Sequence, residues 1–151
     1  MTGLFEVLEA SAPAAYLRGS FVAYPLVNAA HILAIGALLT CAALMDLRVL
    51  GLGTSVPVAT VIGHLRPVAT LALLVAATTG LLLFSVRPLE YVDNPAFPLK
   101  LVLVTAATAN AVGYSLLQDR IGLPYLRALA ALSLALWPAA LVAGRFIGFL
   151  E

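Results

Sequence analysis

The chain has 151 residues, of which 63% are hydrophobic and 10% charged, and its mean hydropathy is +1.08. A soluble domain carries roughly 25% charged residues; this chain has too little polar side chain to cover a soluble surface, which argues against a soluble enzyme or a disordered chain. A net charge of +1 leaves no electrostatic footprint for DNA or RNA, and the single cysteine, Cys41, excludes an internal disulfide or a Cys-rich metal site.

A small integral membrane protein remains, and the spacing of its charges sets the number of crossings. No formal charge falls between Arg18 and Asp46, Arg66 and Arg87, Lys100 and Asp119, or Arg127 and Arg145. Each gap is long enough for a spanning helix, which takes about 20 apolar residues. Backbone groups in lipid must be satisfied internally, and four segments cannot close a barrel. The expectation is therefore an all-α integral membrane protein, one transmembrane domain over 1–151. It is a four-helix bundle with spans near 20–45, 67–86, 98–117 and 125–149.

The punctuation between the spans agrees. Met1 to Glu9 has no basic leader; Leu4, Phe5, Val7 and Leu8 among Glu6 and Glu9 predict a short N-terminal interfacial helix. Val49 to Leu65 is rich in Gly, Ser, Thr and Pro and reads as an interfacial connection, or else as an early turn of the second helix. Pro67 and Pro98 suit first helical turns, and Pro138 predicts a kink in the fourth span. Asp46 and Arg48 close the first span and are candidates for a local ion pair. Lys100 and Arg145 belong inside span ends, so the remaining basic residues favour the 46–66 and 119–127 loops as cytoplasmic. Both termini then lie on the outer side of the membrane.

Polar groups at membrane depth are costly and mark candidate sites. His31 lies about ten residues into its span, roughly 15 Å deep at 1.5 Å per residue. Tyr24, Asn28, His31, Ile35 and Leu38 share one helix face by their three- and four-residue spacing, so Asn28 can orient the ring. One reading makes His31 an axial ligand to haem iron; the other makes it a structural histidine bonding across helices. Lys100 and Arg145, with Arg87, would hold haem propionates; alternatively both side chains snorkel to the interface. His64 is a candidate second ligand if the second helix starts early, near Val58; otherwise it is a surface histidine. Asn110 reads as helix–helix glue, Thr78 and Thr79 as bonding back to their own helix, and Cys41 as a small apolar residue.

Several runs carry a family resemblance: His31-Ile-Leu-Ala-Ile-Gly36, Asp46-Leu-Arg-Val-Leu-Gly51, Thr79-Gly-Leu-Leu-Leu-Phe84, Asn94-Pro-Ala-Phe-Pro-Leu-Lys100 and Gly144-Arg-Phe-Ile-Gly148. Together they resemble a family of uncharacterised four-helix bacterial inner-membrane proteins, over nearly the whole chain. More distantly, the first-span histidine and the lysine opening the third span resemble CopD copper-resistance proteins and HemJ-type protoporphyrinogen oxidases. That likeness implies haem b, with the functional histidine and lysine at His31 and Lys100.

The leading expectation is a haem b-binding membrane protein with a redox or electron-transfer role. It would work with quinone in the bilayer and a periplasmic or membrane redox partner, and a homo-oligomer is compatible with its small-residue spacings. The alternatives are a cofactor-free small transporter or metal-handling protein using His31, Asn28 and Asn110, and a structural membrane subunit.

Overall fold

The computed structural model describes residues 2–53 and 55–149. Every regular element among them is a helix: α1 (Thr2–Glu9), α2 (Ala12–Gly19), α3 (Ala23–Val49), α4 (Val58–Val86), α5 (Pro88–Asp93), α6 (Ala96–Leu117) and α7 (Leu123–Phe146). Four of these, α3, α4, α6 and α7, are long and apolar enough to cross a membrane. At 22 to 29 residues they reach about 33–44 Å, against a hydrocarbon core of about 30 Å.

Around the bundle the order is α4, α3, α7, α6: α3 packs on both α4 and α7, and α6 packs on α7. Small residues let the backbones approach, as expected where lipid offers no hydrophobic drive between helices. Ala69, Ala72 and Ala76 of α4, Ala107 of α6, and Ala130, Ala140 and Ala143 of α7 are all buried. At mid-height Leu38, Cys41 and Ala42 close with Ala69, Ala72, Ala107 and Trp137 into one apolar plug. Cys41 is a free, buried thiol there.

The expected spans are all present, with one boundary corrected. α4 begins at Val58, not near Pro67. The turn from α3 is confined to a short segment in which Gly51 and Gly53 both take φ of +91°, a conformation open to glycine without strain. Pro57 then precedes the first helical residue with extended ψ. Ile62 supplies the drive for the extra turns, because it is buried with Val49 and Ala130. Pro67 therefore lies inside α4 instead of at its first turn. The carbonyl it cannot serve belongs to Gly63, four residues earlier. α7 runs on through Pro138 without a break in the helix.

The expected N-terminal helix over Met1 to Glu9 corresponds to α1, with Met1 outside the described residues. A second short helix, α2, follows it. Arg18 at the end of α2 donates to the Val86 carbonyl at the end of α4 (2.9 Å) and pairs with Glu9 (3.4 Å), so it ties both short helices to the bundle end. Phe5 of α1 meets Phe84 edge-on, with centroids 6.2 Å apart. The expected Asp46–Arg48 pair does not form: Arg48 Nε donates to the Val56 carbonyl instead (2.7 Å). Residues two apart on a helix point to different faces, and the chain turning back after Gly53 presents a nearer acceptor.

Candidate cofactor site

All four long helices contribute to one cavity of about 1310 Å³ at the bundle end that carries α1, α2 and α5. Ordinary small-molecule sites occupy roughly 300–1,000 Å³, so this one has room for a large planar ligand. The face expected on α3 forms one wall: Tyr24, Asn28, His31 and Ile35 all line the cavity, while Leu38, the next residue of that face, is in the plug beneath it. Lys100 of α6 and Arg145 of α7 line it too, as does Arg87. Residues from three separate spans, singled out for their depth alone, thus share one space.

His31 is held by α4. Thr79 Oγ1 donates its only hydrogen to the Val75 carbonyl (2.6 Å), which leaves the oxygen to accept from His31 Nδ1–H at 2.9 Å. With the ring neutral and its proton on Nδ1, as this bond requires, Nε2 keeps its lone pair. The ring also lies against Gly80: a Cβ there would stand 3.0 Å from Cε1, closer than carbon atoms tolerate. Thr79 fixes the ring's tautomer and Gly80 gives it space. Thr78 and Thr79 do bond back to their own helix, at the Leu74 and Val75 carbonyls, but Thr79 has this second task that spacing does not reveal.

Lys100 is held the same way from α7. Its Cε and Cδ would stand 3.2 and 3.3 Å from a Cβ at position 144, so its stem lies across Gly144. Its ammonium makes no ion pair with a carboxylate among the described residues. Arg145 is exposed and sets its guanidinium 4.9 Å from the Phe149 ring centroid. Arg87 is partly engaged with Glu90 at 3.3 Å. Below the cationic rim, Ile32, Ile35, Leu83 and Leu141 make the wall apolar, and Phe84 stacks on Phe97 at 5.2 Å.

Asn94 is a positioning residue that sequence reading missed. Buried at 7% exposure, it donates through Nδ2 to the Ile147 carbonyl (2.9 Å) and accepts from the Ala96 amide (3.0 Å). It thereby locks the start of α6 to the end of α7, the two segments that carry Lys100 and Arg145. An Asn before Pro is a turn signal, but nothing in the sequence says which helix end its amide reaches.

Of the residues expected to hold haem, His64 alone lies elsewhere. His31 meets α4 at Thr79 and Gly80, and His64 precedes Gly80 by sixteen positions, about 24 Å along the same helix. The helix does start early, yet the extra turns extend it away from His31. His64 is exposed and donates Nδ1–H to the Thr60 carbonyl (2.8 Å). The two imidazoles cannot share an iron.

Asn110 also lies away from the cavity, where its Nδ2 donates across to the Leu129 carbonyl of α7 at 3.0 Å; it is the helix–helix contact its position predicts. Among the described residues no three His, Cys, Asp or Glu side chains gather around a common metal position. No protein-family model matches this chain, and no curated protein or solved structure matches it either.

Proposed function

We propose that the chain is a haem b-binding protein of the bacterial inner membrane with a redox or electron-transfer role. The observation that carries this reading is the meeting of His31, Lys100 and Arg145 on one large cavity, with His31 anchored through Nδ1 and its Nε2 lone pair uncommitted. An axial imidazole needs that arrangement, in which the far nitrogen is bonded by a neighbour and the near one is free.

The donor set fits the group. Haem is an apolar macrocycle with two carboxylates, and the cavity offers apolar side chains beneath a rim of Lys100, Arg145 and Arg87. Lys100 and Arg145 would hold the propionates by charge-assisted hydrogen bonds. Asn28, one turn from His31 and exposed on the cavity wall, would orient a polar group beside the ring. His64, about 24 Å away, would take no part in holding the group. Haem bound here would supply one-electron chemistry, with quinol in the bilayer and a periplasmic or membrane protein as the exchanging partners. Both termini and the cavity mouth would then face the periplasm.

Absorption spectra of the detergent-purified chain, as isolated and after dithionite, test the reading beside His31→Ala. The expected result is a haem b spectrum in the wild type and little or no haem in the variant. A wild type that stays colourless after haemin addition would overturn it. A cofactor-free transport or packing role for His31 would then take its place.

A further inference from the structure

The opposite end of the bundle holds a second polar cluster that the haem reading leaves unused. Asp46 stands one turn before the end of α3, and its Oδ2 is buried without a hydrogen-bond partner. Ser133 of α7, on the facing helix, is itself 5% exposed. Both residues line a cleft of about 240 Å³ between α3 and α7, together with Leu134 and Pro138. Pro138 has no amide hydrogen, so the Leu134 carbonyl, four residues earlier, loses its helical donor. A carboxylate, a hydroxyl and a freed backbone carbonyl thus belong to the walls of one cleft.

The neighbouring cations are engaged elsewhere. Arg66 of α4 donates to Gln118 Oε1 (2.9 Å) and Arg48 to the Val56 carbonyl (2.7 Å). Neither pairs with Asp46 among the described residues. The last carbonyls of α3 add negative partial charge within a turn of Asp46. A buried carboxylate oxygen without a donor is costly, and what is missing here is positive charge.

We propose that Asp46, Ser133 and the Leu134 carbonyl form a binding site for a small monovalent cation of the Na⁺ class. All three donors are hard oxygens, and they supply a single negative charge. Divalent Ca²⁺ collects six to eight oxygens, commonly including several carboxylates. Backbone carbonyls that lack a helical donor are among the groups that coordinate Na⁺ in membrane proteins. The site stands near the end of α3, within reach of the aqueous boundary, and it is independent of what occupies the His31 cavity.

The test is thermal unfolding of the purified full chain in detergent, in NaCl against choline chloride at equal ionic strength, for wild type and Asp46→Asn. Na⁺ is expected to raise the wild-type midpoint saturably, by about 3 °C or more at ten times its dissociation constant, and to leave Asp46→Asn unmoved. Ser133→Ala keeps the carboxylate and serves if Asp46→Asn does not fold. It is expected to need at least about fivefold more Na⁺ for the same shift, the loss of one ligand. Equal midpoints for the wild type in Na⁺, Li⁺, K⁺ and choline would overturn the proposal, as would an undiminished Na⁺ response in both variants.

Discussion

The two ends of the bundle use their polar residues in opposite ways. Around His31 the walls stand apart, glycines at 80 and 144 let the His31 ring and the Lys100 stem lie against the facing helices, and Lys100 and Arg145 form no ion pair with a carboxylate among the described residues. Toward the other end the walls are closed except for the small cleft at Asp46: Arg66 reaches Gln118, Asn110 reaches Leu129, and Ile62, Val49 and Ala130 pack together. The alanine-lined plug with Trp137 separates the two regions. Polar groups at membrane depth therefore do two distinct jobs in one small bundle. Those already bonded to another helix hold the spans together, and those left facing a large space are free to take a ligand.

The contrast can be broken by substitutions that act on one part alone. The largest effect on stability is expected from Trp137→Ala, which empties the plug that both ends rest on. A loss of about 3–5 kcal/mol would be read from reversible unfolding in mixed micelles. Gly80→Ala places a methyl 3.0 Å from His31 Cε1 and so displaces the ring. It should cost about 1–3 kcal/mol and, on the haem reading, lower haem content measured by pyridine haemochrome while leaving helix content by circular dichroism intact. Asn94→Ala removes one hydrogen bond to the end of α7 and one that holds the start of α6. A cost of about 1–3 kcal/mol should appear together with weakened haem retention, because Lys100 loses its fixed helix start.

Smaller effects belong to the closed end. Asn110→Ala deletes one interhelical bond, worth about 0.6–2 kcal/mol, and should leave the cavity spectrum unchanged; a spectral change would mean that the two ends are coupled. The smallest effect is expected from His64→Ala. Its ring is exposed and bonded only to Thr60 on its own helix, so neither stability nor any haem spectrum should move. A loss of haem in that variant would contradict the 24 Å separation (about sixteen residues of helix).

Much of the fold could be read from where charge is missing. The intervals after Arg18, Arg66, Lys100 and Arg127 correspond to α3, α4, α6 and α7, because lipid excludes charge and enforces helix. The start of α4 could not be read the same way: Gly63 and Pro67 resemble loop chemistry, and only the packing of Ile62 against Val49 and Ala130 makes those turns helical. At the site, residue depth along each span identified His31, Asn28, Lys100 and Arg145, since expensive side chains announce themselves by type. Gly80, Thr79 and Asn94 were not legible as site residues. Each acts across a helix boundary, and which faces of two helices meet is set by the packed bundle. His64 was misplaced for the related reason that its distance from His31 depends on the antiparallel register of α3 and α4.

The most direct measurement is the dithionite-reduced absorption spectrum of purified His31→Gly, with and without added imidazole, beside the wild type. The account predicts haem b bands in the wild type, their loss in the variant, and their return when imidazole fills the space left by the side chain. Unchanged bands in His31→Gly without imidazole, or a wild type that takes up no haem, would contradict it.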